Sequence, residues 1–373
     1  MAENSIHSSL RESFPKPTRE LWQQIASKEI EGKNPFEFLL WKGGDGINFF
    51  PYYDRQDTAQ LNYLEKFRRT VGEDSFFGPN KWLNVPQLTV NDEFQSNKTA
   101  LEHLSNGADG ALFVLTSNSD LSKLLHQIEW SYCSLFFRTG DNNFFKEKLP
   151  EFILRNNYDL PALTGSLFWE TSPKKSDVDF YLAKTKNIKS LGIVLLSSPP
   201  AQQITSALSQ AVNLIEELKN ENDLASLFGA IAFSVPVDQN FFESIAKLKA
   251  LRLLWYQVTQ AYGLKNHKPS DLHIHAQSDV WVSENFEPHG NMIKSTTAAM
   301  AAVFGGCDSL TILAQDEQNK TMSRVARNVS SVIREESHLN KVVDPLAGAY
   351  AVDKMTEEIA MKAWSLFQSA MKI

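Results

Sequence analysis

The chain of 373 residues has only two cysteines, Cys133 and Cys307. Two thiols cannot build a disulfide framework or a cysteine-ligated zinc site. Both are expected to be buried, unreactive side chains in a protein of a reducing, cytoplasmic compartment. A surplus of positive charge is missing too: 37 Lys+Arg against 44 Asp+Glu leave a formal net charge of −7, which argues against nucleic acid as a main partner. Nowhere do about 20 apolar residues run together, and the opening "MAENSIHSSLRESFPKP" lacks a signal-type apolar stretch, so no membrane segment is expected. No Gly-rich turn follows the first strand-like run, which removes the main sign of a dinucleotide-binding sheet. Repeats and low-complexity tracts are absent. With 42% hydrophobic and 22% charged residues, the chain is globular, and long enough for two domains or one large α/β barrel.

Residues 1–80 read as an N-terminal arm making subunit contacts. "FPKPTRELWQQIASKEI" starts a helix after Pro17, with Thr18 as N-cap and Leu21, Trp22, Ile25 and Ile30 as an apolar stripe. The following "NPFEFLLWKGGDGINFFPYYDRQD" crowds aromatics into a turn-rich stretch. Such side chains need cover, from this chain's own barrel or from another subunit.

Residues 81–373 alternate β-rich runs with helical patterns. The runs are "GALFVL" (110–115), "HQIEW" (126–130, the weakest), "CSLFFRT" (133–139), "TGSLFW" (164–169), "SLGIVLL" (190–196), "FGAIAFSV" (228–235), "LHIHAQ" (272–277) and "DSLTILAQ" (308–315). Eight alternating units predict an α/β fold, a closed (β/α)8 TIM barrel. In "NFFESIAKLKALRLLWYQV", Ile245, Leu248, Leu251 and Trp255 mark the buried stripe, and Lys247, Lys249 and Arg252 are expected on the solvated face. "FGGCDS" (304–309) reads as a helix-to-strand turn capped by Gly305 or Gly306, and Thr356 as the N-cap of a last helix.

"LHIHAQSDVW" (272–281) carries the chemistry, if any is present. On a strand, His273 and His275 point to the same face. A metal site would need a third ligand, and Asp279, His289 and His338 are the candidates. Two histidines hydrogen-bonded inside a barrel are the commoner arrangement. No Ser-His-Asp or Cys-His spacing stands out.

"NFFESIAKLKALRLLW" (240–255), "NMIKSTTAAMAAVFGGCDSLTILAQDE" (291–317) and "SRVARNVSSVIREESHLNKVVDPLAGAYAVDKMTEEIAMKAWSLF" (323–367) strongly resemble the barrel of methylmalonyl-CoA mutases. The arm resembles the start of the small, non-catalytic subunit of heterodimeric members. The resemblance implies an isomerase family that interconverts methylmalonyl-CoA and succinyl-CoA, a step of propionate metabolism, with adenosylcobalamin. It also implies that the pantetheine arm of the substrate threads the barrel axis between small polar side chains.

Against that pattern the chain departs at its working positions. A substrate-facing strand reading R-x-H-x-Q-x-S-G has here become His273, His275, Gln277, Asp279 and Val280, so the arginine clamp is replaced by a mostly neutral histidine. The S-G-Y-H histidine position aligns with Leu195, which can neither donate a hydrogen bond nor titrate. Of R-G-P-Y-x-x-M-Y only Gly78, Pro79 and Trp82 answer, and "DLHIHA" (271–276) imitates the cobalt-ligating D-x-H-x-x-G inside the barrel. Only 25 residues follow the D-P-x-x-G segment (344–348), so no C-terminal cobalamin-binding domain is expected here. The implied reading is a chain without catalytic residues, cofactor or metal, keeping His273, His275, Gln277, Asp279 and Lys294 as pocket remnants. Adenosylcobalamin then belongs to a large, catalytic partner subunit, with self-association as a further use of the arm. A free-standing acyl-CoA-binding barrel and one part of a split mutase are the alternatives. Whichever parity "GIVLL", "ALFVL" and "LTIL" adopt, large apolar groups are expected to fill the axis.

Overall fold

The computed structural model describes residues 18–61, 79–116, 119–279 and 290–371. His289, Val280 and Gly78 lie outside them. Nine parallel strand segments form one sheet, in the order β3-β11-β10-β9-β8-β7-β6-β5-β4. The two ends of that order, β3 (Leu83–Asn84) and β4 (Gln87–Thr89), are halves of one stretch of chain. Pro86 separates them because it has no N–H for the ladder. On one side Val85 N donates to Leu310 O at 2.9 Å; on the other Leu112 N donates to Pro86 O at 2.9 Å. The sheet therefore closes on itself as a barrel of eight strands.

The second to eighth strands are β5 (Gly110–Val114), β6 (Ser134–Thr139), β7 (Thr164–Trp169), β8 (Ile188–Val194), β9 (Ile231–Val237), β10 (His273–Ser278) and β11 (Ser309–Thr311). The expected (β/α)8 fold is thus observed, with two corrections to its strands. The first strand, 83–89, carried too little apolar alternation to be noticed. The stretch 126–130 is not a strand: Gln127 takes a left-handed φ of 60°, which an extended chain cannot hold. Its Trp130 is instead a buried plug whose Nε1 donates to Thr164 O at 2.9 Å.

The major helices outside the barrel are α4 (Glu93–Ser105), α7 (Lys175–Lys184), α8 (Pro200–Leu218), α9 (Leu224–Ala230), α10 (Phe241–Ala261), α11 (Gly290–Gly305), α12 (Lys320–Glu335) and α13 (Tyr350–Met371). Helix α10 corrects the sequence reading. Ile245, Leu248, Leu251 and Trp255 are buried as expected, but so are Lys247 and Arg252. The helix packs against α8, α11 and α13, so little of its circumference meets water. Arg252 uses its guanidinium as a four-way tie, donating to Pro269 O, Leu272 O, Gly306 O and Asp308 Oδ2 at 2.8–2.9 Å. Lys249 pairs with Asp344 at 2.5 Å. Thr356 caps nothing: it lies inside α13, its hydroxyl donating back to Val352 O. The turn after α11 does end on glycine, with Gly306 at a φ of 83°. Cys307 is buried and Cys133 half-buried, neither in a disulfide.

The arm lies on its own barrel. Helix α1 (Arg19–Glu29) starts where expected, Leu21 N donating to Thr18 Oγ1 at 3.2 Å. After the short α2 (Pro35–Phe38) comes the hairpin β1 (Trp41–Lys42) and β2 (Asn48–Phe49), then α3 (Arg55–Thr58), which packs on α13. Arg19 holds Asp54 at 3.2 Å and also pairs with Asp57, tying α1 to α3. Phe49 is buried, yet Phe38, Leu39, Trp41 and Phe50 stay exposed on the outer side. Among the described residues no helix is long and apolar enough to cross a membrane.

Replacing Arg252 with alanine removes four hydrogen bonds, one of them to the Asp308 carboxylate, from a mostly buried site. It is expected to lower unfolding stability by about 3 kcal/mol. A urea midpoint shift worth less than a third of that would contradict the tie.

Candidate functional site at the barrel axis

Alternate strand residues divide into two sets. Outward ones such as Leu191, Ile193, Leu195, Leu310 and Ile312 join the large cluster under the helices. Inward ones form a separate small cluster of Val85, Leu112, Phe136, Phe168 and Ala232, with Leu83 and Val194 beside it. The apolar runs singled out in the sequence mostly serve the outer layer. "LTIL" gives the axis only Thr311, with Leu310 and Ile312 facing the helices. "GIVLL" gives it Gly192 and Val194. Residue Leu196 is 81% exposed beyond the strand.

The axis is filled instead by two phenylalanines. Phe136 stands on the third strand and His273 and His275 on the seventh, opposite in an eight-stranded ring. The Phe136 ring lies 5.9 Å from both imidazoles and 6.4 Å from Phe168, which lies 5.3 Å from His275. Rings at these separations are in contact, so the barrel is bridged from wall to wall. Gly192 makes room for this, since a Cβ there would lie 2.7 Å from the Phe168 ring.

His273 and His275 do share a face, and both are held by hydroxyls. His275 Nδ1 pairs with Ser234 Oγ and its Nε2 with Thr311 Oγ1, each at 2.9 Å. His273 Nε2 pairs with Ser309 Oγ at 2.9 Å. Burial disfavours the imidazolium and pulls the pKa of His275 down to about 3 and that of His273 to about 4. Both rings are neutral at pH 7, so neither can act as an acid there. Among the described residues no three His, Cys, Asp or Glu side chains gather where they could hold a metal.

Towards the C-terminal ends of the strands, where barrel enzymes usually work, polar groups pair with each other. Gln277 Nε2 donates to Gln87 Oε1 at 2.8 Å, and Gln87 Nε2 to Glu317 Oε1 at 2.9 Å. Arg138 pairs with Glu170 at 3.0 Å. Lys247 donates to Pro236 O at 2.6 Å, and burial lowers its pKa to about 8 although Asp238, Glu243 and Asp279 favour the charge. Of the remaining residues named from sequence, Asp279 is half-buried just after β10 and Lys294 half-buried in the first turns of α11. Leu195 is buried on the helix side, not on the axis. The strand groups Phe136, Phe168, Ser234 and Thr311 were not singled out, though simple alternation in "SLFFRT" puts one of Phe136 and Phe137 inside.

At the opposite end a cavity of about 800 Å³ opens beneath the plug. Ser190 and His273 form part of its lining, with Lys189, His267 and Asp271 around them. Lys189 Nζ donates to Gly229 O at 2.7 Å and to Asp271 O at 3.3 Å. The buried Ser190 Oγ and His267 Nε2 have no hydrogen-bond partner. The pocket lies at the N-terminal ends of β8 and β10, with helix and loop residues such as Tyr181, Ser226 and Leu264 completing its wall.

These features define a (β/α)8 barrel whose axis keeps polar walls but is blocked by aromatic rings. The sequence profile described as "Methylmalonyl-CoA mutase" matches residues 181–372, and the chain belongs to that family. It is 28% identical to the methylmalonyl-CoA mutase small subunit of Porphyromonas gingivalis, over 95% of this chain and 63% of that one. With the small subunit from Streptomyces virginiae it shares 30% identity, covering 96% and 64% respectively. The large subunit from P. gingivalis matches at 28%, over 60% of this chain and 32% of its own length. The chain therefore spans just under two thirds of the length of these small-subunit relatives.

Histidines depressed this far couple stability to pH. The unfolded chain takes up protons near pH 6.5, the folded chain only near 4 and 3. Stability is whole above about 6.5 and falls as pH drops towards 4. H275Q should flatten this slope without abolishing it, because His273 and His103, whose pKa is also lowered to about 4, remain. Denaturation midpoints measured across that range with equal slopes in both proteins would refute the assignment.

Proposed function

We propose that this chain is a small, non-catalytic subunit of a methylmalonyl-CoA mutase. Its work is to pair with a large, catalytic chain and stabilise it, while the large chain binds adenosylcobalamin and isomerises the acyl-CoA. The observation that carries this reading is the contact of Phe136 and Phe168 with His273 and His275 across the axis, because a substrate tail cannot pass through rings in contact. The small-subunit names of two relatives, and the large subunit known in one of their organisms, support the division of labour. In this reading residues 1–80 are the arm for subunit contacts, residues 81–373 the barrel, and the complex is cytoplasmic. The exposed Trp41 and Phe50 of the arm are natural contacts, being large, apolar and uncovered.

Co-expression with a large subunit from the same source is expected to give one peak by size exclusion at micromolar concentration; separate elution counts against the pairing. The double variant W41A/F50A should weaken that co-elution at least about tenfold, yet barely change the melting point of the chain alone, since exposed side chains contribute about 0.5 kcal/mol or less.

The cavity below the plug, with the partnerless Ser190 hydroxyl on its wall, favours a second reading: an acyl-CoA-binding barrel without turnover. Calorimetric titration with CoA thioesters separates the two. The subunit reading expects no heat of binding to this chain.

A further inference from the structure

Besides the packing of α3 on α13, the arm meets the barrel through two polar contacts. At the tip of the β1–β2 hairpin, Gly44 N donates to Glu243 Oε1 at 3.2 Å, and Asp45 Oδ2 accepts from Ala201 N at 2.6 Å. These two contacts reach neighbouring units. Ala201 lies in the first turn of α8, after the fifth strand; Glu243 lies in the first turn of α10, after the sixth. Helix α8 opens on Pro199 and Pro200, and no side chain of its own caps it. Helix N-termini carry unpaired N–H groups and a partial positive charge, and a carboxylate serves both. Asp45 therefore does for α8, from 156 residues away, what an N-cap residue does locally.

The tip is shaped for that fit. A Cβ at Gly43 would lie 2.8 Å from Glu243 Oε1 and 2.7 Å from the Phe49 ring, so a side chain there forces the Glu243 carboxylate or the Phe49 ring to move from its present contact. Phe49 anchors the inner side of the hairpin at 3% exposure, while Trp41 (41%) and Phe50 (48%) remain on the outer side.

We propose that the β1–β2 hairpin is a latch coupling the arm to the C-terminal rim of the barrel. With the arm docked, α8 is capped and Glu243 is satisfied; with the arm displaced, both are lost together. A chain covering Trp41 and Phe50, as the subunit reading requires, then adds its binding free energy to the docked state. Partner binding is felt at the first turns of α8 and α10, which the partner need not touch.

Hydrogen exchange on the full chain alone tests the latch without any partner, so a failed pairing would not bear on it. D45A should speed exchange at the Ala201 amide about fivefold, and at the Gly43 and Gly44 amides in parallel. D45N keeps an acceptor oxygen and should stay within about twofold of the parent. E243A is the decisive variant, because the Ala201 amide bonds to Asp45 and Glu243 bonds to Gly44, yet the latch requires faster exchange at Ala201 too. Should E243A fail to fold, G43A displaces the tip by crowding and carries the same expectation. An unchanged Ala201 amide in E243A or G43A, or unchanged arm amides in D45A, overturns the coupling.

Discussion

The contact between Phe136 and the imidazoles of His273 and His275 joins opposite walls of the barrel, and most else about the molecule follows from it. A ring of eight strands leaves an interior just wide enough to be packed by side chains. Once two phenylalanines meet two imidazoles there, the midpoint is closed by rings in contact. Burial of each aromatic side chain stabilises the fold by roughly 1.5–3 kcal/mol. The imidazole nitrogens would oppose that gain if left bare, but Ser234, Thr311 and Ser309 supply hydroxyl partners. Apolar packing and polar satisfaction thus agree at one place, which gives the core a single arrangement.

The neutral histidines are a consequence of this packing. A charged imidazole pressed against these rings would lose its hydration; His275 gains no carboxylate in return, and at His273 burial outweighs the pull of Asp308, so the proton stays off. The same logic applies on the outer layer, where Lys247 and Arg252 are buried in α10. There the charges are kept by carbonyls and carboxylates: Pro236 O for Lys247, and Asp308 with three carbonyls for Arg252. The contrast explains why one set of buried titratable groups is electrically silent and the other forms ties between barrel units. It also separates two kinds of polar remnant. At one mouth Gln277 donates to Gln87 and Gln87 to Glu317, while Ser190 faces an open cavity at the other.

Polar walls surround a filled centre. The buried strand residues include the small hydroxyls Ser134, Ser166, Ser190, Ser234 and Ser309, while Phe136 and Phe168 meet the neutral His273 and His275 between them. The N-terminal arm, by contrast, is built on apolar excess, part of it spent on its own barrel through Phe49 and part left outward. The same kind of side chain thus closes the centre and leaves the outer side of the arm uncovered, as Trp41 and Phe50 show.

The sequence by itself determined the alternation that makes the barrel, the helix start at Thr18, the shared face of His273 and His275, and the family. These are local or cumulative signals, legible because strand and helix periods repeat over many residues. It misplaced what depends on which neighbours assemble around a residue. The strand at 83–89 is too short and too polar to announce itself, and is a strand only because β5 and β11 flank it. That Leu195 faces the helices and not the axis follows from the register of the sheet, which composition does not fix. The lysine and arginine of α10 read as solvated until three helices closed around them. Only the closed ring decided that Phe136 and Phe168 would meet the histidines of the opposite strand, because that contact joins segments more than a hundred residues apart and no local pattern encodes it.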